Sequence, residues 1–145
     1  IYNNKFESKY YIPKNYKELL DAVIEWCNNK DEAILKYGHI SYWNIIYIKI
    51  LHKLFSSTNN FNDDISDWNT SNVIYMTSVF ENQVIFNQPI GNWNTSNCVS
   101  FCQMFKSALS FNQNLNNWNK IACTQHMFYN AKSFDILNFN NINKN

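Results

Sequence analysis

The tryptophans set the frame. Trp43, Trp68, Trp93 and Trp118 stand 25 residues apart, and each is followed by an asparagine, Asn44, Asn69, Asn94 and Asn119. Three residues before each lies an aliphatic side chain: Ile40, Ile65, Ile90 and Leu115. Phe55, Phe80 and Phe105 follow the first three tryptophans at one spacing, and Phe61, Phe86 and Phe111 lie six residues further on. The last unit keeps the interval of six with Phe128 and Phe134, but both arrive two residues early. A two-residue deletion just after Asn119, where the two preceding units carry Thr-Ser, accounts for this. A fixed period this long means stacked units, because one unit cannot bury its apolar face alone.

Each unit reads as a short strand, a turn, a helix of about three turns and a return loop. Ile65–Trp68 and Ile90–Trp93 are too short for helices and suit one extended strand each. Ser71 or Ser96 suits a helix N-cap. Val73, Met76 and Val79/Phe80 then recur at steps of three and four, as do Cys98, Phe101, Met104/Phe105 and Ala108. In the last unit the same face is Ile121, Thr124, Met127/Phe128 and Ala131. The Trp and Phe residues would form columns in the core, each large side chain contributing roughly 1.5–3 kcal/mol on burial. The asparagines after the tryptophans would form a ladder along the strand edge, since an amide both donates and accepts.

Ahead of the repeats, Leu19, Leu20, Val23, Ile24 and Cys27 share a helical face beside Trp26, with Pro13 before it and Asn15 as its cap. A second short helix from Asp31 carries Ala33, Ile34 and Tyr37 and ends at Gly38. This pair reads as a cap over the first unit. At the other end, Leu137 and Phe139 resemble a last edge strand, and Ile142–Asn145 reads as frayed.

Composition removes several function classes. The net charge is +1, and charged residues make up 16% of the chain. All 12 basic residues are lysine, and arginine, the usual bidentate reader of phosphate and guanine, is absent. A nucleic-acid partner is therefore not expected. Nor is a membrane span, as no run of 18 apolar residues occurs. The 27 asparagines fit an AT-rich coding sequence, a structural role for a subset, or both. The chain starts at Ile1, which fits a fragment or a processed form.

No catalytic, cofactor or metal site emerges. Cys27, Cys98, Cys102 and Cys123 lack the CxxC spacing of a zinc site. Cys98 and Cys102, four apart, would meet on a helix, and core thiols are favoured over a disulfide or a metal. His39, His52 and His126 share no repeat position, and His39 reads as hydrogen-bonding locally. Asp63, Asp64 and Asp67 read as a solvated loop. Asn69-Thr70-Ser71 and Asn94-Thr95-Ser96 are glycosylation sequons, but a structural role is favoured. Tyr47, Tyr75, Asn82 and Gln83 fall on or near outer positions, and tyrosine with low charge suits a protein interface.

The pattern I-S-x-W-N-T-S-N-V-x-x-M-x-x-x-F, then F-N-Q, resembles the BspA-like leucine-rich-repeat surface proteins over about Pro13–Phe134. The segments Tyr16–Leu20, Trp26-Cys27 and Tyr37–Ser41 are similar to the N-terminal cap of the giant-virus and algal members. The first unit departs from the pattern with Ile45-Ile46-Tyr47 in place of Thr-Ser-Asn, and the fourth lacks Thr-Ser. The resemblance implies an α/β fold: a short leucine-rich-repeat-like solenoid of about four strand-turn-helix units with a helical N-terminal cap. The division is 1–39 for the N-terminal segment and cap, 40–134 for the repeats (units 40–64, 65–89, 90–114 and 115–137), and 138–145 for the edge and tail. The expected function is non-catalytic: protein–protein contact, or a structural part of a larger assembly such as a virus particle. A secreted or cell-surface adhesin-like module is the alternative, and an enzyme a distant third. Protein partners and no cofactor are expected, with a virion or cell-surface setting.

Overall fold

The computed structural model describes residues 10–58 and 60–140. The reading of Ile142–Asn145 as frayed lies outside the described residues. Helix α1 spans Tyr16–Asn28 and α2 spans Lys30–Tyr37. Asn15 caps α1, its side chain accepting from the Glu18 N–H at 3.0 Å. Asn29 starts α2, and Gly38, at φ 72°, ends it. That left-handed backbone suits glycine. Leu19, Ala22, Val23 and Trp26 are the buried face of α1, whereas Ile24 is 39% exposed.

The α/β solenoid of strand-turn-helix units is not what forms. Among the described residues no strand pairs into a sheet, and the helices of the repeat region are two 3-10 turns, Ile40–Tyr42 and Ile136–Phe139. The second of these occupies the place where Leu137 and Phe139 suggested an edge strand. Ile65–Trp68 and Ile90–Trp93 are turns, closed by the Trp68 N–H on the Ile65 carbonyl at 3.2 Å and the Trp93 N–H on the Ile90 carbonyl at 3.1 Å. Among the described residues, extended pairing survives as isolated parallel bridges, Ile50 to Tyr75, Tyr75 to Ser100 and Ser100 to Cys123. These fall inside the segments that the apolar spacing marked as helical.

The expected repeat helix fails for a reason visible in its hydrogen bonds. Along Met76–Asn82 the N–H groups of alternate residues leave the unit: Met76, Ser78, Phe80 and Asn82 donate to the carbonyls of Ser100, Cys102, Met104 and Lys106 at 2.8–3.0 Å. Leu51, Lys53 and Phe55 donate in the same way to Tyr75, Thr77 and Val79, and Phe101, Gln103, Phe105 and Ser107 to Cys123, Gln125, Met127 and Tyr129. Other N–H groups close i→i−3 turns, such as Glu81 on Ser78 and Gln83 on Phe80. An α-helix needs those same donors for its own i→i−4 carbonyls. Lys53, Ser78, Gln103 and His126 also sit at φ 55–57°, a left-handed conformation that breaks a right-handed helix.

Successive turns therefore stack in register, and the core is a set of aromatic files. Phe55, Phe80, Phe105 and Phe128 lie nearly parallel with ring centroids 5.4, 5.6 and 5.7 Å apart. Phe61, Phe86, Phe111 and Phe134 follow at 6.1, 5.9 and 5.9 Å. Within a unit the two rings stack at 3.7–3.9 Å. Offset parallel rings of this kind add to the burial term. Trp68, Trp93 and Trp118 stack at 6.5 and 6.2 Å. Their indole N–H groups donate to the carbonyls of Ile40, Ile65 and Ile90, one unit back. Trp43 sits apart from this file. It donates to Gly38 and packs against Tyr11, Trp26 and Tyr37, so it joins α1 and α2 to the first turn.

Candidate functional site

Among the described residues, the asparagines after the tryptophans act mainly within their own turns and form no continuous ladder; Asn119 alone of the four also donates its amide to the preceding unit, at the Cys98 carbonyl. Asn69 Oδ1 accepts from both the N–H and the hydroxyl of Ser71, and Asn94 does the same with Ser96. Asn44 and Asn119 accept from the N–H groups of Ile46 and Ile121. These are Asx turns, so Ser71 and Ser96 are the capped residues and not helix caps. Thr70 and Thr95 beside them are buried and cross to the next unit: Thr70 donates to the Asn94 carbonyl, and Thr95 accepts from the Asn119 N–H.

The amide ladder runs elsewhere, through the residue after each second Phe. Asn62 Oδ1 accepts from the Asn87 N–H, Asn87 from Asn112, and Asn112 from Asp135, each at 2.9 Å. Gln88 and Gln113 brace it by donating back to Asn62 and Asn87. The recurring Phe-Asn-Gln motif was its signal. The Asn72 and Asn97 amides form a parallel line, donating to the Ile46 and Ser71 carbonyls.

Gln83, read as an outer residue, is 1% exposed. Its amide donates to the Phe55 and Thr58 carbonyls, both at 2.7 Å, and accepts from the Phe61 N–H at 2.8 Å. It thus ties the second unit to the first inside the core. Asn82 is exposed. In the fourth unit, Ile121, expected on the core face, is 94% exposed, Thr124 is exposed, and Ala122 is buried instead. The shortened connection after Asn119 produces this change, since the bridge interval falls from 25 residues to 23 there.

The titratable groups do not converge. Among the described residues no three of His, Cys, Asp and Glu are grouped closely enough to hold a metal. Asp63 accepts from the Trp26 indole and from Lys30. The Ser66 hydroxyl, and then the Ser66 N–H that donates to Asp64, hold the Asp64 carboxyl below the usual range. His39 shares a 2.7 Å contact with the Ser41 hydroxyl. His52 lends its carbonyl to the Tyr16 hydroxyl. Cys98 is buried, which pushes its thiol up to about 11. It does not meet Cys102 on a helix. The thiol facing Cys102 belongs to Cys123.

What the turns do present is an exposed apolar strip. The bridge positions Ile50 and Tyr75 are 44% and 46% exposed. Tyr47 is 58% exposed, with the Lys14 ammonium 4.9 Å from its ring centre, and Val99 is 51% exposed. Ile121, in the fourth unit, is exposed as well. Each belongs to the segment between a tryptophan and the first Phe turn; Ile50 and Tyr75 share one repeat position and are bridged, whereas Tyr47, Val99 and Ile121 stand at other positions of that segment.

Residues 25–142 match the family described as Mycoplasma protein of unknown function, DUF285. The chain belongs to that family. No curated protein and no solved structure matches it. No helix among the described residues of this family member is long and apolar enough to cross a membrane.

Proposed function

We propose that this chain is a non-catalytic repeat module whose stacked turns hold a protein-contact strip centred on the bridged pair Ile50 and Tyr75, with Tyr47, Val99 and Ile121 exposed in the same segments of their units. The observation that carries this reading is the exposure of that strip on a packed aromatic core. Contiguous exposed apolar surface is a common mark of protein contact, and tyrosine is enriched at interfaces. The repeat pattern also supports kinship with the BspA-like surface proteins. A family described from Mycoplasma, a cellular source, favours a cell-surface, adhesin-like setting over a part in a virus particle.

A photo-crosslinking residue at position 75, in full-length protein expressed in its own cells, tests the reading. Position 112, exposed on the amide ladder, is the control. A discrete cross-linked protein from position 75 and none from 112 supports the strip. Equal labelling from both positions, or none from 75, overturns it.

A further inference from the structure

Cys102 and Cys123 come from adjacent turns, the third and the fourth. Ser100 bridges Cys123, and the Phe101 N–H donates to the Cys123 carbonyl at 2.8 Å. Cys102 Sγ lies 3.8 Å from that same carbonyl oxygen, and the Cys123 thiol lies within hydrogen-bonding reach of it. The repeat supplies an independent measure of the diagonal. One unit earlier the equivalent residues are Thr77 and Ser100, whose hydroxyl oxygens are 3.2 Å apart. Side chains at these two positions therefore meet, which a disulfide requires of its β-carbons.

Both sulfurs are free thiols; Cys123 is exposed and Cys102 half-buried. Burial raises the Cys102 thiol, but hydrogen bonds from Cys123, Ser100 and the Gln125 backbone outweigh it and leave Cys102 below the ordinary thiol value. Cys27 and Cys98 differ, since burial raises both. The thiolate is the attacking form in disulfide exchange.

We propose that Cys102 and Cys123 are a thiol–disulfide exchange pair that closes a reversible bond between the third and fourth turns when it meets a small-molecule disulfide. The Cys102 thiolate, its proton lost to solvent, attacks one sulfur of that disulfide and expels the other half as a thiolate. The Cys123 thiolate then attacks the Cys102 sulfur in the mixed disulfide and expels the second half. The protein loses two protons and two electrons, and the small disulfide is reduced to two thiols. The bond staples down the last turn of the stack, where Phe128 and Phe134 are only partly buried.

The test treats the full chain, folded and reduced, with oxidised glutathione. Remaining thiols are then alkylated and the digest is mapped by mass. The expected result is loss of two of the four thiols, a Cys102–Cys123 linked peptide that dithiothreitol releases, and a higher melting temperature for the oxidised form. Cys123→Ser should stop at a glutathione adduct on Cys102, and Cys102→Ser should give no linked peptide. A glutathione adduct that persists on the unsubstituted chain, a link between copies, a link to Cys27 or Cys98, or no reaction overturns the proposal.

Discussion

The Trp26 indole N–H donates to the Asp63 carboxylate at 2.8 Å, joining α1 to a turn 37 residues further along. The second oxygen of Asp63 receives Lys30 at 2.7 Å, so one carboxylate fastens both helices to the first repeat. Trp26 is 1% exposed. Asp63→Ala strands its N–H away from water, and a buried donor without a partner costs about 1–3 kcal/mol. Asp63→Asn keeps an acceptor and loses mainly the partly exposed ion pair, worth about 0–1 kcal/mol. Urea denaturation of the two variants should therefore rank alanine well below asparagine. Equal losses would mean that the indole bond adds nothing.

Gln83 carries a larger share of one junction. Gln83→Ala removes three hydrogen bonds at once: the buried Phe61 N–H and the Thr58 carbonyl lose their partner, while the Phe55 carbonyl keeps the Thr58 N–H and hydroxyl. The alanines at the equivalent positions Ala108 and Ala131 are buried, so the volume change alone is tolerated elsewhere in the stack. The loss should reach about 2–5 kcal/mol, read as a lower urea midpoint. A change below 1 kcal/mol would place water or a rearranged turn at those groups.

Trp93 is stacked on both sides and 3% exposed. Trp93→Ala should cost about 3–5 kcal/mol and loosen neighbouring turns together, because each repeat depends on its neighbours. Hydrogen exchange should show the amides of Met76–Asn82 and Phe101–Ser107 opening with it. Loss of protection confined to one turn would argue against coupling through the file.

Acid should act on the junctions between turns. Burial raises the Glu81 carboxyl, but hydrogen bonds from Lys106, 2.9 Å away, and Ser78 outweigh it and leave it below its ordinary value. The Glu25 carboxyl is lowered by hydrogen bonds from Lys36 and Tyr37. A folded-state pKa below the unfolded one contributes stability above the unfolded value and loses it as pH falls through the folded one. Urea midpoints should therefore hold from neutrality to the ordinary carboxylate range and fall below it. In Glu81→Gln the fall should be shallower. An unchanged acid limb in that variant would remove Glu81 from the account.

The 25-residue interval in the sequence is the interval at which rings stack and backbone bonds cross between units, so register was legible from the aromatics. The local conformation was not. Apolar residues at steps of three and four, such as Val73, Met76 and Phe80, fit a 3.6-residue helix and a succession of i→i−3 turns alike. The deciding feature is the left-handed column. Its four members, Lys53, Ser78, Gln103 and His126, share no residue type, and none is a glycine or asparagine; asparagine marks such a backbone in a second column, Asn82, Ser107 and Asn130. Gln83 was misplaced for a related reason: a polar side chain reads as surface until its three partners, all in the preceding unit, are known. The exposed strip was only partly visible, in Tyr47 and Tyr75, because the positions of Ile50, Val99 and Ile121 depend on the turn geometry.

The turn conformation itself can be tested at Lys53, which is exposed and sits at φ 55°. In a helix, Lys→Gly at an exposed interior position costs about 0.8–1.0 kcal/mol. Here the native backbone is the left-handed one that glycine adopts freely, whereas a side chain bears about 1–2 kcal/mol of strain there. Lys53→Gly should be neutral or stabilising, and the β-branched Lys53→Val should lose about 1–2 kcal/mol through clash of its Cβ substituents. Because the Lys53 N–H donates to the Thr77 carbonyl at 3.0 Å, both variants keep the bond between units and differ only in backbone preference. Thermal denaturation then reads the conformation directly. A loss for glycine as large as that for valine would mean a helical segment, and the stacked turns would have to be abandoned.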